Sequence, residues 1–368
     1  MELPEDLLQL AATFKANDKQ LFVVGGAVRD AVMGVTPKDY DVATDADPHR
    51  VARILRRPGS AWKLNEVGKS FGVVKARLGD SENEYEIATF RQDVGVGRRP
   101  NSVVFTTIEE DVKRRDLTIN ALFYDIQKGE LVDLVGGLQD IERGIVRTVG
   151  LAEERFAEDR LRVLRAIRFT AKLGFQLEPT TADAIMRDNN LEGVSPERIR
   201  EEFLRTLTSA KNFSEALDLI NVFNLWGRIF PGLEVDPVPN IAAHTPEVVI
   251  ASFFERLPVA TVAKRLGELK YNLDEVAKIT FLLQYRNLSE ANAFRLKKIC
   301  KTKGISEGLM TEYVNVSRSP APELVAAFKA YLDTPPVKGG DLMSEGYSGP
   351  GLGVELERRE TELFKELL

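Results

Sequence analysis

The amino-acid sequence predicts an α+β protein, a small α/β head followed by a long all-helical remainder, and three observations carry that expectation. Runs of β character bounded by glycine or polar turns are confined to the part before about Gly150. Past that point nearly every segment has the apolar spacing of an amphipathic helix, separated by breakers such as Gly174, Ser195-Pro196 and Pro231-Gly232. The chain of 368 residues is also longer than one hydrophobic core usually sustains, so several compact units are expected.

The elements follow in order. After a helix-like opening segment, Leu21-Phe22-Val23-Val24 reads as a buried strand ending at Gly25-Gly26, and Ala27 to Met33 as a short helix stopped by Gly34. Asp39 to Ala43 reads as a second short strand. Asp47-Pro48 supplies an N-cap and a proline for the first helical position, opening a helix to about Leu55. Phe71 to Leu78 and Glu84 to Phe90 are β runs joined by the polar turn Gly79 to Asn83, which predicts a hairpin. Farther on, Pro237, Pro239 and Pro246 mark a joint, and Pro320, Pro322, Pro335 and Pro336 break up the last portion.

Composition narrows the chemistry. With 43% hydrophobic and 29% charged residues the chain has the balance of an ordinary globular protein, and its apolar runs are too short to span a bilayer. Glu2, Glu5 and Asp6 stand where an export signal would carry basic residues, so a cytoplasmic location is expected. Cys300 is the single cysteine, and His49 and His244 are the only histidines, which leaves carboxylates to hold any metal. The net charge of −6 is a total, whereas nucleic-acid binding depends on local basic patches.

The strongest constellation is Gly25-Gly26-Ala27-Val28-Arg29-Asp30 followed by Asp39-Tyr40-Asp41. Aspartates at i and i+2 of a strand share a face, so both carboxylates could serve one pair of hard divalent cations. The glycines let backbone amides approach a triphosphate, and Arg29 could reach a phosphate or a sugar. A plain surface turn is the bland alternative for so short a pattern. Glu86, alternating with Tyr85 and Ile87 on the expected hairpin, could add a third carboxylate or be a solvent-facing strand residue. Gly68-Lys69-Ser70 imitates the end of a P-loop, but Lys63 stands where the first glycine of that loop belongs.

These residues resemble the class II nucleotidyltransferase family of bacterial- and eukaryal-type tRNA CCA-adding enzymes and poly(A) polymerases. The resemblance runs from about Leu21 to Phe203. It continues through Thr89-Phe90-Arg91, Gly97-Arg98-Arg99-Pro100, Arg114-Arg115-Asp116-Leu117-Thr118-Ile119-Asn120-Ala121, Val132-Asp133 to Gly136-Gly137, and Glu158-Asp159-Arg160-Leu161-Arg162 with Arg165, Arg168 and Phe169. It implies a polymerase β-like head with a mixed sheet over 1–149, a helical neck recognising the nucleotide base over 150–212, a helical body over 213–285 and a tRNA-binding helical tail over 286–368. It further implies template-independent addition of CMP and AMP from CTP and ATP to the acceptor end of tRNA, with Mg2+ in a two-metal site. Asp39 and Asp41 would be the catalytic metal ligands, and Glu86 would take the third strand carboxylate's position. Gly25, Gly26 and Arg29 would bind the nucleotide, Arg115 would lie near it, Asp116 near its ribose, and Asn120 would support that loop or the sugar. Arg165 and Arg168 would contact the nucleotide region. No membrane association and no protein partner are expected.

Glu158-Asp159-x-x-Arg162 also permits an argument from chemistry alone. Residues three apart on a helix are neighbours, so the Asp159 carboxylate and the Arg162 guanidinium could present an acceptor beside donors. Cytosine and adenine show an amino group next to an unprotonated ring nitrogen and fit that pair, whereas uracil and guanine reverse it. An ordinary helical ion pair is the alternative. The densest basic stretch, Arg295 to Lys303, could hold a tRNA backbone or be an exposed helix face. Trp226 and Phe230 have helical spacing and read as core. Two other functions stay open at this level: a restricted relative adding only CC, only A or a poly(A) tail, and an RNA-binding protein without catalysis. The resemblance bears on the first of these: Gln92 to Gly97, in the neighbourhood of the loop that helps the family switch from C to A, is slightly shorter than expected of a full CCA-adding relative, which leaves terminal A addition open.

Overall fold

The computed structural model describes residues 1–94, 102–236, 245–317 and 320–368. Gly97 to Pro100, Pro237, Pro239 and His244 lie outside the described residues, as does the loop beyond Val94. The chain divides into two compact units, Met1–Val194 with Ala210–Asn212, and Ser195–Ser209 with Phe213–Leu368.

The first unit is built on a mixed sheet. Its strands are β1 (Leu21–Val24), β2 (Val42–Thr44), β3 (Trp62–Asn65), β4 (Val73–Leu78), β5 (Tyr85–Thr89), β8 (Phe123–Asp125) and β9 (Glu130–Val132), in the order β3-β4-β5-β2-β1-β8-β9. Pairs are antiparallel except β2 with β5, which run parallel in the register Val42↔Ile87. Strand β1 explains why Leu21 to Val24 is apolar at every position. Leu21 and Val23 enter a core with Leu7, Leu10 and Phe14 of α1 (Glu5–Lys15) and Val51 and Ile54 of α3 (Pro48–Leu55), while Phe22 and Val24 enter a second core with Phe90 and Phe123. A strand buried on both faces reads as a continuous apolar run.

Strands β6 (Arg91–Val94) and β7 (Ser102–Phe105) form a separate ribbon. The helices of this unit continue with α2 (Gly26–Val32), α4 (Ile108–Lys113), α5 (Gly137–Arg143), α6 (Ala152–Glu158), α7 (Leu161–Leu173) and α8 (Pro179–Arg187). The Asp47 carboxylate caps α3 by accepting from the amides of His49 and Arg50, as the Asp47-Pro48 pair predicts.

Three expectations need correction. The hydrogen-bonded strand begins at Val42, so Asp39 and Asp41 precede it instead of lying within a strand from Asp39. The cause is the partner: β1 ends at Val24, whose amide still donates to the Asp41 carbonyl at 3.0 Å, and Gly25 then turns away with φ +71°. Residues before Asp41 therefore have nothing to pair with. The hairpin also starts later than Phe71, because Lys69–Phe71 forms a 3₁₀ turn and Gly72 adopts φ +81° before β4. Finally, β character does not stop at Gly150: Gln176–Leu177 (β11) pairs in parallel with Ile145–Val146 (β10).

The second unit is helical: α9 (Pro196–Ser209), α10 (Phe213–Val222), α11 (Trp226–Ile229), α12 (Pro246–Phe253), α13 (Val259–Glu268), α14 (Leu273–Tyr285), α15 (Glu290–Lys303), α16 (Glu307–Val316), α17 (Pro322–Asp333), α18 (Gly339–Ser344) and α19 (Gly349–Lys365). Phe230 is fully buried and Trp226 packs edge-on against Phe203 and Phe253, in line with their reading as core. Among the described residues no helix is long and apolar enough to cross a membrane.

The basic stretch of α15 is divided by its own geometry. Arg295, Lys298, Lys301 and Lys303 are exposed, but Lys297 is turned inward and cannot serve a partner's backbone. Its ammonium lies 3.4 Å from Glu360 of α19, donates to the Thr334 hydroxyl at 2.8 Å and stands 3.9 Å from the Tyr331 ring centroid. Glu360 also accepts from the Tyr331 hydroxyl at 2.5 Å and the Val337 amide at 2.7 Å. With side chains only 3% and 1% exposed, neither charge can turn to water if the other is removed. Lys297→Met is expected to destabilise this unit by about 3–5 kcal/mol, and Lys297→Met with Glu360→Leu by much less. Urea unfolding followed by tryptophan fluorescence and circular dichroism measures both; equal losses in the single and double variants would contradict the buried-pair account.

Candidate functional site

The carboxylates come together at the edge where β2 begins. One step before the Val42↔Ile87 pairing the register sets Asp41 abreast of Glu86, and residues abreast on neighbouring strands share a face. Asp39, Asp41 and Glu86 are all exposed. Partial burial first, then the charges of Glu86 and Asp39, push the Asp41 carboxyl above the usual carboxylate range, while Arg115 and Lys75 oppose the rise. Glu86 is held by an ion pair with Lys75 across the β4–β5 ladder at 2.6 Å. Among the described residues no group of three acidic, histidine or cysteine side chains converges closely enough to hold an ion.

The glycine turn and α2 deliver Arg29 into the interior. Only 2% exposed, its guanidinium donates to Asp30 at 2.9 and 2.6 Å, donates to the Asn120 side-chain oxygen, and lies 5.0 Å from the Phe169 ring centroid. Gly25 must be glycine on conformational grounds, since φ +71° is strained for any residue with a Cβ. Because Arg29 occupies the Asn120 oxygen, the Asn120 Nδ2 group is oriented outward from that bond, and it is buried with no hydrogen-bond partner among the described residues. An orphaned buried donor of this kind awaits an acceptor.

The segment Arg114-Arg115-Asp116 is held from two sides. Asp111, 1% exposed, accepts from Arg114 at 2.9 Å, from Arg115 at 3.2 and 2.9 Å, and from the Arg91 amide at 3.1 Å. Burial works to raise the Asp111 carboxyl, but Arg115 and Arg114 carry it below its ordinary range. The Arg115 guanidinium in turn lies 4.5 Å from the Phe123 centroid. Asp116 accepts from Arg165 of α7 at 2.7 Å and from the Leu117 amide at 2.8 Å; burial opposes its ionisation and Arg165 overcomes that. Val132-Asp133 to Gly136-Gly137 has a structural task. Asp133 accepts from four backbone amides, Val135 to Leu138, and a Cβ on Gly137 would sit 2.3 Å from the Thr118 carbonyl oxygen. This loop thus packs under the turn that carries Asn120.

Asp159 and Arg162 do not lie within one helix, which corrects the premise of their helical spacing. Helix α6 ends at Glu158, Asp159 is extended at φ −149°, and α7 starts at Leu161, where the Asp159 carboxylate accepts the Leu161 amide at 3.2 Å. Arg162 pairs with Glu158 at 2.6 Å and donates to the backbone carbonyls of Arg155 at 3.0 Å and Arg114 at 2.6 Å. It therefore ties α7 to the Arg114-Arg115-Asp116 segment. Along α7, Arg165 and Arg168 bring their guanidiniums 5.6 and 4.2 Å from the Phe169 centroid, the ring that also receives Arg29. Asp111 and Lys172 went unnoticed in the sequence. Asp111 looked like one acid in a charged helix, but Lys172 continues the spacing of Arg165 and Arg168 by seven and four residues and was legible there.

The fold and this arrangement define a head of the poly(A) polymerase class. The family described as Poly A polymerase head domain matches residues 21–147, and that described as Probable RNA and SrmB- binding site of polymerase A matches 174–236. The chain is 45% identical over 192 residues to the CCA-adding enzyme of Bacillus subtilis, covering 51% of this chain and 46% of the relative, and 42% identical over 278 residues to that of Bacillus pumilus, covering 74% and 65%. Poly(A) polymerase I of Salmonella typhi is 34% identical over 236 residues, covering 62% and 50%. The matched stretches thus span between about half and two thirds of these relatives. Among solved structures, the Bacillus stearothermophilus CCA-adding enzyme in complex with CTP aligns with a TM-score of 0.73 and 27% identity over 100% of this chain and 94% of that one. Residues 21–147 thus carry a Poly A polymerase head domain, and the chain is similar to CCA-adding enzymes and bacterial poly(A) polymerases. Divalent metal ions are general to nucleotidyltransferases of this kind.

The electrostatics give a direct test of the carboxylate edge. In protein free of divalent cations, Asp39→Asn or Glu86→Gln should lower the Asp41 pKa by removing a like charge, and Lys75→Met should raise it by removing an opposite one. NMR titration of the Asp41 carboxyl carbon reads both signs; an Asp41 unmoved by all three changes would show that the carboxylates do not share one site.

Proposed function

We propose that the protein is a template-independent tRNA nucleotidyltransferase that adds CMP and AMP to the 3′ end of tRNA, completing or repairing CCA. The observation that carries this reading is the exposed Asp39–Asp41–Glu86 edge beside a turn, Asp116 to Asn120, that offers a buried unpaired donor, backed by an arginine-rich helix in the same compact unit. The likeness to a CTP-bound CCA-adding enzyme over the whole chain supports it.

The metal fits the donor set. Mg2+ commonly takes one or two carboxylates together with water and substrate phosphates and does not need a closed protein cage. Asp39 and Asp41 supply two hard, exposed oxygen donors, and the upward shift of Asp41, caused first by burial, also carries the crowding of Glu86 and Asp39, which a divalent cation would relieve. When bound, two such ions polarise the attacking hydroxyl and stabilise the leaving oxygen. Glu86 can orient the primer or an ion only after loosening its pair with Lys75.

The protein's own residues position the nucleotide. Gly25 and Gly26 let the triphosphate approach the backbone, Arg29 and Arg115 stand as fixed cations, and Asn120 Nδ2 donates to the sugar. Asp116 is held for the ribose by Arg165. Asp159 and Arg162, at the joint of α6 and α7, remain the pair read for base choice; three Arg162 donors are already engaged, which holds its guanidinium still rather than leaving it to swing. Within the second unit, the exposed Arg295, Lys298 and Lys301 of α15 follow the tRNA backbone. Acting on tRNA is consistent with a cytoplasmic location. Addition of CCA is favoured over a poly(A) tail by the greater identity of the CCA-adding relatives, 45% and 42% against 34%.

The test uses tRNAs ending before CCA, at C and at CC, each with one labelled nucleotide. CTP incorporation followed by a single AMP and a stop is expected; addition halting at CC, or continued A addition, would move the assignment to a restricted relative or a poly(A) polymerase. UTP or GTP used as well as CTP would end the base-choice argument. Asp39→Ala and Asp41→Ala should each lower transfer by about a thousand-fold or more with tRNA binding retained. Unchanged activity in both would leave a binding protein.

A further inference from the structure

Helix α7 carries one cation that the site as described does not use. Lys172 lies on the same side of α7 as Arg165 and Arg168, with its ammonium 6.0 Å from the Phe169 ring centroid, so four cationic side chains surround one aromatic ring: Arg29, Arg165, Arg168 and Lys172. Arg29 pairs with Asp30 and Arg165 with Asp116, and Arg168 is engaged as well. Lys172 makes no ion pair or hydrogen bond among the described residues, although it is half-buried. The groups that act on it are Arg29 and Arg168, which repel it, and Asp30 and Asp39, which attract it from beyond contact. An ammonium placed beside two guanidiniums without a counterion is unfavourable in the protein alone, and the ring face offsets only part of that. A multivalent anion between Lys172 and Arg29 would remove the repulsion.

We propose that Lys172 is a polyphosphate contact, gripping the part of the nucleotide that leaves as pyrophosphate. The position supports a phosphate contact, because Lys172 shares the Phe169 ring with Arg29 of the glycine-turn helix, the element read above as receiving the triphosphate. Lys172 then holds the same group before and after transfer: it lends affinity for the triphosphate and retards release of the product. The proposal rests on the nucleotidyl-transfer reading, so its test begins with a measurement that does not need transfer.

Calorimetric binding of inorganic pyrophosphate in the presence of Mg2+ is compared for wild type, Lys172→Gln and Lys172→Arg, with circular dichroism and thermal unfolding as folding checks. Wild type should bind, Lys172→Gln should bind about ten-fold or more weakly, and Lys172→Arg should retain most of the affinity. In transfer assays Lys172→Gln should raise KM for CTP and ATP and weaken inhibition by added pyrophosphate, leaving kcat close to wild type, a division that mere damage to α7 would not produce. No pyrophosphate binding by wild type, or equal binding by Lys172→Gln, overturns the proposal. Binding that depends on Lys172 in a protein that transfers no nucleotide would uphold the anion site and remove the functional reading instead.

Discussion

A guanidinium taken almost wholly out of water must be matched on every side, and Arg29 sets that requirement for the whole site. Its partners come from three places: Asp30 on its own helix, Asn120 from the turn before β8, and the Phe169 face from α7. The desolvation penalty for such an ion amounts to several kcal/mol if any partner withdraws. The glycine turn, the Asn120 turn and the helix bearing Arg165, Arg168 and Lys172 are thereby obliged to stay in register. Gly25 makes it possible, because only its positive φ lets the chain leave β1 and bury the arginine within a single turn of helix.

The second set of constraints repeats this logic with the charges reversed. Asp111 is buried and acidic, and it is matched by Arg114, Arg115 and the Arg91 amide. Through Arg91 it reaches the base of the β6–β7 ribbon, and through Arg115 it reaches the carboxylate edge, where Arg115 moderates the charge on Asp41. Arg162 closes the circuit by donating to the Arg114 carbonyl. The groups proposed to face the nucleotide are thus fixed mainly by buried ionic contacts between segments distant in sequence, an arrangement suited to preorganised electrostatics.

How much of this could be read from the sequence follows from the range of each interaction. Local signals served well: β1 through its unbroken apolar run, α3 through Asp47-Pro48, and the β4–β5 hairpin through its polar turn. Asp39 and Asp41 were recognisable as a pair by spacing, but their exclusion from the strand was not, because it depends on where the partner strand ends. The helical spacing read between Asp159 and Arg162 did not hold, for a similar reason. The helix breaks at Asp159, and only the structure reveals that Glu158 lies within reach. Lys297 illustrates the limit at its clearest, since nothing within Arg295 to Lys303 distinguishes the one lysine that Glu360, some sixty residues later, draws inward.

The overall charge of −6 therefore says little about how the molecule meets a polyanion. Acidic residues are consumed where they neutralise neighbours, as Glu355 and Glu345 do with Arg358 and Arg359 in the last helix, and such pairs project little field beyond a Debye length. The cations that matter are those gathered in one place: the group around Phe169 in the first unit, and the exposed Arg295, Lys298 and Lys301 on α15 in the second. Each unit thus has its own positive feature, the first a cluster around one ring and a buried arginine, the second an open strip on a helix face. A compact multivalent anion and an extended phosphate backbone ask for those two different geometries, and each geometry can be met independently of the chain's net charge.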